Sequence, residues 1–148
     1  MSKSNATVNG SCLCGAVRFQ ATLPSLFCGH CHCSMCRRNH GAGFVTWFAV
    51  PRGQIELLLG ATKLSIYSSS EHGIRKFCNV CGSSLFCESK KHPNQIDIPL
   101  ANIEGPIDRA PQFHFYFDNR APWVVVSDGL PRLGGTTGME PLKVEPAA

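Results

Sequence analysis

Long apolar runs are missing. The most apolar stretches, "FVTWFAV" (44–50) and "WVVV" (123–126), fall far short of the roughly 20 residues that a membrane-spanning helix needs. Helical periodicity is scarce too: no window repeats apolar residues every three to four positions for more than about a turn, the best being Ser34–Asn39. That argues against a domain built of helices. Charge is sparse at 16%, and the net +4 is scattered, with only "CRRNH" and "GIRKF" as short basic patches. A nucleic-acid binder shows a concentrated basic face, so nucleic acid is not expected as a partner, and neither is a membrane. The opening "MSKSNATVNG" lacks the apolar core of a secretory leader, which leaves the cytoplasm as the expected compartment. No internal repeat recurs at a fixed period.

What is present is β-rich and punctuated. The segments "AVRFQAT" (16–22), "GFVTWFAV" (43–50), "QIELLL" (54–59), "KLSIYSS" (63–69), "SSLFCES" (83–89), "QIDIPL" (95–100), "QFHFYF" (112–117) and "WVVV" (123–126) are separated by Gly, Pro, Asn and Ser. In the first, Val17, Phe19 and Ala21 alternate with Ala16, Arg18 and Gln20, as in a half-buried strand. The expected fold is mainly β, of small antiparallel sheets. With 43% apolar residues in 148, one modest core is affordable. The expected division is an N-terminal segment (1–9), a domain over 10–132 and a Gly- and Pro-rich tail (133–148) that frays, lies over the surface or docks on a neighbouring subunit. Oligomeric state is not legible.

Cysteine is the abundant exception, with nine residues, four of them in "CGHCHCSMC" (28–36). In a reducing compartment such crowding points to metal binding or catalysis rather than disulfides, and an odd count fits a complete disulfide set poorly. Cys78-x-x-Cys81-Gly82 has the form of a zinc knuckle, Gly82 letting the chain leave the turn with positive φ. A knuckle supplies two of four ligands, and Cys12-x-Cys14 can supply the rest if both sulfurs point to one face of a strand. A redox reading of Cys78-x-x-Cys81 requires a helix after the first cysteine, whereas "GSSLF" reads as a strand.

Cys31, Cys33 and Cys36 offer three further thiolates. Three protein ligands with a fourth position open is the pattern of a catalytic zinc, while Cys28 as a fourth ligand would close the site into a structural one. Three thiolates around Zn²⁺ leave a formal charge of about −1 and a weak Lewis acid, better suited to holding an incoming thiol as its thiolate than to activating water. The chemistry indicated is that of sulfur. His32 lies between two of these cysteines and on a strand would point away from the metal, and His40 lies close by.

With these clusters assembled, the chain resembles the family of glutathione-dependent formaldehyde-activating enzymes, which includes centromere protein V. The likeness runs from about Gly10 to Pro131 and rests on "GSCLCGAVRF", "CHCSMCRRNHGAGF", "RKFCNVCGSSLF" and "RAPWVVVSDGLPR". The resemblance implies a tent-like β fold stapled by zinc. It implies Cys12, Cys14, Cys78 and Cys81 as ligands of a structural zinc, and Cys31, Cys33 and Cys36 as ligands of a second, catalytic zinc, which three ligands would hold less firmly than four. It further implies a carbon–sulfur lyase or synthase of the S-(hydroxymethyl)glutathione type. Its partners would be a small thiol such as glutathione and a small carbonyl such as formaldehyde. On that reading His40 handles a proton, and Arg37 and Arg38 pair with substrate carboxylates. Arg75 and Arg120 are further candidates for those carboxylates, Phe44, Trp47 and Trp123 are candidate pocket walls, and Cys28 and Cys87 are expected to be inert buried thiols. The rival reading is a non-catalytic zinc-stapled binding module, and the fourth ligand of the middle cluster discriminates the two.

Overall fold

Short strands and tight turns account for nearly all the regular structure in the computed structural model, which describes residues 5–143. The strands are β1 (Thr7–Ser11), β2 (Arg18–Thr22), β3 (Phe27–Cys31), β4 (Val45–Pro51), β5 (Ile55–Leu59), β6 (Leu64–Ser68) and β7 (Gly73–Cys78). They continue with β8 (Ser84–Ser89), β9 (Gln95–Pro99), β10 (Ile103–Glu104), β11 (His114–Phe115), β12 (Leu133–Gly134) and β13 (Glu140–Pro141). One α-helix, α1 (Ser34–His40), falls where the sequence offered its best helical turn. Among the described residues no helix is long and apolar enough to cross a membrane.

The expected mainly-β class is what the chain adopts, with six of the eight β-rich segments forming strands of five residues or more. The other two do not, for local reasons. "QFHFYF" yields only the two residues of β11, because Tyr116 turns into the left-handed region at φ 53° and ends the strand. "WVVV" forms no strand, and its Trp123 and Val125 are 71% and 92% exposed. Of the strands of five residues or more, three lie outside those segments: β1 is interrupted by Asn9 and Gly10, β3 is crowded with Cys and His, and β7 carries Arg75 and Lys76 side by side.

The chain forms two units, residues 5–28 with 47–110 and residues 29–46 with 111–143. In the first, β10, β1, β2 and β5 make one antiparallel sheet, and β4, β9, β8, β7 and β6 lie side by side in that order as antiparallel neighbours. The inward residues Val8, Phe19 and Ala21 of β1 and β2 meet Phe48, Val50, Leu85, Phe86 and Ile98 in one core. Phe19 packs edge-to-face on Phe86 at 5.0 Å, and burying a ring of this size contributes about 3 kcal/mol. Gly10 is required beside it, because a Cβ there would stand 2.0 Å from the Phe19 ring.

The second unit is built around local turns. β11 runs parallel to β3, pairing His114 with His30 and Phe115 with Cys31. β12 and β13 form an antiparallel pair, so the described part of the C-terminal segment is a folded hairpin. The helix α1 starts with Cys33 as its N-cap and stops at Gly41, whose φ of 60° places it in the left-handed region.

Candidate metal centres

Cys12 follows β1, Cys14 sits in the next turn, Cys78 ends β7 and Cys81 lies in the turn to β8. Their sulfurs all lie within 4.8 Å of one another. The pair Cys12–Cys14 converges through a turn rather than as strand neighbours: the Cys12 amide donates to the Val17 carbonyl at 3.1 Å and the Gly15 amide to the Cys12 carbonyl at 3.2 Å. The Val17 amide donates to the Cys12 sulfur at 3.3 Å. On the other side the Gly82 amide donates to the Cys78 carbonyl at 2.8 Å, and Gly82 has the positive φ, 80°, that the knuckle needs. The Leu13 amide donates to the Ser83 hydroxyl at 2.9 Å and ties the two turns together.

The sulfur separations test the metal directly. Sγ of Cys14 stands 3.7 Å from Cys12 and 3.8 Å from Cys78. Thiolates about 2.3 Å from a tetrahedral zinc stand about 3.8 Å apart, so the four sulfurs fit that ion. All nine cysteines are free thiols. Charge points the same way. Ser83, through its hydroxyl and its amide, holds the Cys81 thiol down to about 5. The Ala16 amide acts to lower Cys14, but burial and the neighbouring thiols Cys12, Cys81 and Cys78 carry it up to about 11. Four sulfurs this close cannot all ionise without a cation to neutralise them.

The second cluster spans the end of β3 and the start of α1, and the sulfurs of Cys31, Cys33 and Cys36 also lie within 4.8 Å of one another. The Cys36 amide donates to the Cys33 sulfur at 3.3 Å, so one residue caps the helix and faces the cluster. Contacts from Cys33 and Cys36 push the buried Cys31 thiol far up, which is again repulsion that a cation would relieve. Among the described residues this group has three ligand side chains, not four. Cys28 does not join it: three positions before Cys31 on the same strand, it faces the other side and lies fully buried in the apolar core of the first unit. Burial pushes its thiol up to about 11.

Behind the cluster runs a hydrogen-bonded chain that sequence spacing did not reveal. His32 is 0% exposed; its Nε2 lies 2.8 Å from Nδ1 of His114, and His114 Nε2 lies 2.9 Å from Asp128. An ionised carboxylate only accepts, so with His114 neutral its Nε2–H donates to Asp128. His114 Nδ1 then accepts from His32 Nε2–H. That leaves His32 Nδ1, buried and without a partner, as a bare lone pair rather than an orphaned N–H. Burial would raise the Asp128 carboxyl, but the His114 ring and the Leu130 amide hold it below its usual range. His30, His114 and Asp128 also bring ligand atoms within 4.8 Å, Asp128 through its hydrogen bond to His114 and His30 through its ring packed on that of His114, centroids 4.8 Å apart. His30 itself bonds the Thr46 hydroxyl through Nδ1 at 2.8 Å, and the Phe44 ring packs against both His30 and His32.

The remaining candidates divide. Arg37 is held beside the cluster, its Nε donating to the His32 carbonyl and its Nη2 to the Asn119 carbonyl, each at 3.3 Å. Arg38 is exposed, and His40 is half-buried at the far end of α1. Arg75 is buried in the first unit and Arg120 lies over the Phe117 ring at 4.5 Å. Trp47 is buried, while Trp123 packs against Gly43, where a Cβ would stand 2.8 Å from its ring. His114 and Asp128 were out of reach of sequence reasoning because they stand 82 and 96 positions from His32; the one local signal, His114 within "QFHFYF", reads equally well as an ordinary strand residue.

Comparison with known proteins agrees with this geometry. Residues 7–119 match the sequence profile of the glutathione-dependent formaldehyde-activating enzymes. A protein of Halomonas elongata that carries the name of such an enzyme is 29% identical over 126 residues, covering 80% of each chain. An uncharacterized lyase of Schizosaccharomyces pombe is 32% identical over 79 residues, 52% of this chain and 54% of its own. The crystal structure of a Rhodobacter sphaeroides protein superposes with a TM-score of 0.58 at 25% identity, covering 68% of this chain and 91% of that one. With the profile matched across most of its length, the chain belongs to the glutathione-dependent formaldehyde-activating enzyme family.

Proposed function

We propose that the chain is a zinc-dependent carbon–sulfur lyase that joins a small thiol, glutathione or one like it, to formaldehyde or a similar small carbonyl, and reverses that step. The observation that carries this reading is the cluster of Cys31, Cys33 and Cys36, three convergent sulfurs with Cys28 turned into the core. Cys12, Cys14, Cys78 and Cys81 would hold one zinc as a closed structural site, and Cys31, Cys33 and Cys36 a second with a position to spare. Zinc bound at the second site supplies a place where an incoming thiol is held as its thiolate, the nucleophilic form.

The chain's own groups do the rest. Cys33 caps α1 and Cys36 lies one turn in, so the helix fixes two of the three ligands. The His32–His114–Asp128 chain ties the linking residue down and keeps its ring off the cluster. Arg37 uses two of its five N–H groups on backbone carbonyls and has others for a substrate carboxylate, with Arg38 beside it. In the forward direction the sulfur forms its bond to the carbonyl carbon while the C=O π pair moves onto oxygen. The proton lost by the thiol ends on that oxygen, delivered by His40, and the product is the hemithioacetal. The reverse sequence is the lyase reaction. The test is NMR exchange between formaldehyde and its glutathione adduct on the zinc-loaded protein. Acceleration above the spontaneous exchange, lost in Cys36→Ser, is the expected result; exchange at the spontaneous rate with two zincs bound would refute the reading.

A further inference from the structure

In the first unit the antiparallel row β4, β9, β8, β7, β6 ends at β6, and among the described residues no strand lies along its outer side. Which backbone groups that leaves over follows from the phase of the β6–β7 ladder. The Asn79 amide donates to the Lys63 carbonyl at 2.8 Å and the Ser69 amide to the Gly73 carbonyl at 3.0 Å. Bonding alternates along an antiparallel pair, so Ser65 and Tyr67 also bond across to β7, while Leu64, Ile66 and Ser68 turn their backbone groups outward. The Leu64 amide is used locally, on the Ala61 carbonyl. Ile66 and Ser68 therefore each present a donor and an acceptor to the outside. Sheets commonly guard such an edge with a charge, a proline, a bulge or brevity. In the other sheet of this unit β10 is two residues long and β5 carries Glu56. β6 has none of these: residues 64–70 read LSIYSSS, and the register with β7 is unbroken. Ile66 is 63% and Tyr67 61% exposed.

The charges stand at the two ends of the strand instead, Lys63 before it and Glu71 after it, both exposed. Glu71 lies 3.8 Å from His72 in its own turn, with its side chain open to solvent. Such an edge is complementary to itself. Two copies related by a twofold axis at Tyr67 run antiparallel, so that residue 67 faces 67, 66 faces 68 and 63 faces 71. In that register Ile66 of each copy exchanges both bonds with Ser68 of the other, and every outward group of these two residues is paired. Tyr67 meets Tyr67 as a non-hydrogen-bonded pair, the kind in which cross-strand side chains lie closest and aromatic pairs are favourable. Lys63 of each copy comes beside Glu71 of the other, opposite charges at both ends. An axis one residue earlier, at Ile66, would set Ser68 against the Leu64 amide that is already used and Lys63 against Ser69.

We infer that β6 is the surface through which two copies of this chain pair, edge to edge about Tyr67, joining their sheets into one. The strand carries none of the clustered cysteines, so the pairing does not rest on the proposed thiol chemistry. A single strand pair buries less than the roughly 800 Å² per partner of a standard interface, so the dimer is expected to dissociate at about 10–100 µM. The test is sedimentation equilibrium of the full, zinc-loaded chain from well below to well above that range, with residue-resolved amide exchange by NMR at both ends of the series. Monomer is expected to pass to dimer, with the Ile66 and Ser68 amides gaining protection as it does and those of Ser65 and Tyr67, already bonded to β7, unchanged. Tyr67→Lys sets two like charges face to face at an exposed position, outside the core, and is expected to weaken the dimer about tenfold. Lys63→Glu and Glu71→Lys are each expected to weaken it too, and an equimolar mixture of the two to recover it, because opposite charges then meet at both ends. A chain that stays monomeric throughout, a dimer whose Ile66 and Ser68 amides gain no protection, or a dimer indifferent to Tyr67→Lys overturns the inference. Failure of the mixture to recover the dimer overturns the register about Tyr67.

Discussion

At the scale of single residues, His114 matters most among those that spacing could not find. It is 1% exposed, accepts from His32 and donates to Asp128, and replacing it takes away the partner of a fully buried ring. His114→Phe keeps an aromatic ring against Phe117 and His32 but leaves both nitrogens of His32 unpaired. The expected loss is about 1–3 kcal/mol in denaturant unfolding of the zinc-loaded protein. Asp128→Asn, at an exposed position, should cost less than His114→Phe; the reverse order would mean that the chain is not held from its buried end. Gly10 is the second such residue. Gly10→Ala puts a methyl into the Phe19 ring, and forcing the core to yield is expected to cost about 1–3 kcal/mol, read as a lower unfolding midpoint at unchanged m-value.

At the scale of elements, Lys76 of β7 and Glu88 of β8 join Arg52, from the turn after β4, in an ion cluster. Glu88 is 7% exposed and pairs with Lys76 at 2.6 Å and with Arg52. Burial would raise its carboxyl, but Lys76 and Arg52 outweigh that and hold it below the usual range near 4.5. A carboxylate lowered in the folded state adds stability above its unfolded pKa, and that stability drains away as pH falls through the folded value. The wild type should therefore lose stability from about pH 4.5 downward, and Glu88→Gln should flatten that acid limb while lowering stability at pH 7. An unchanged limb would remove Glu88 from the account. The elements also show what pattern reading can see. Strands with strict alternation, such as β2, were legible; β3 was not, because its Cys and His residues read as ligands before they read as strand.

At the scale of the whole molecule, the two sulfur clusters are expected to divide labour. Cys81→Ser removes a ligand that joins residues 12 and 14 to 78, bridging 64 positions of chain within the first unit, and a closed metal site contributes folding energy outright. It should bind less zinc and lose its cooperative unfolding transition, whereas Cys36→Ser should lose zinc and keep that transition. Zinc content by mass spectrometry beside thermal unfolding checks both, and equal unfolding of the two variants would end the division. The amino-acid sequence by itself determined the β class, the one helical turn around Ser34–Asn39 and the sorting of Cys12, Cys14, Cys78 and Cys81 from Cys31, Cys33 and Cys36, because these are written in spacing and residue chemistry. Only the tertiary structure decided that Cys28 faces the core and that His32 is tethered to His114 and Asp128. Those outcomes depend on which side chains meet across 80 or more positions, or on which face of a strand is buried, and no local pattern encodes either.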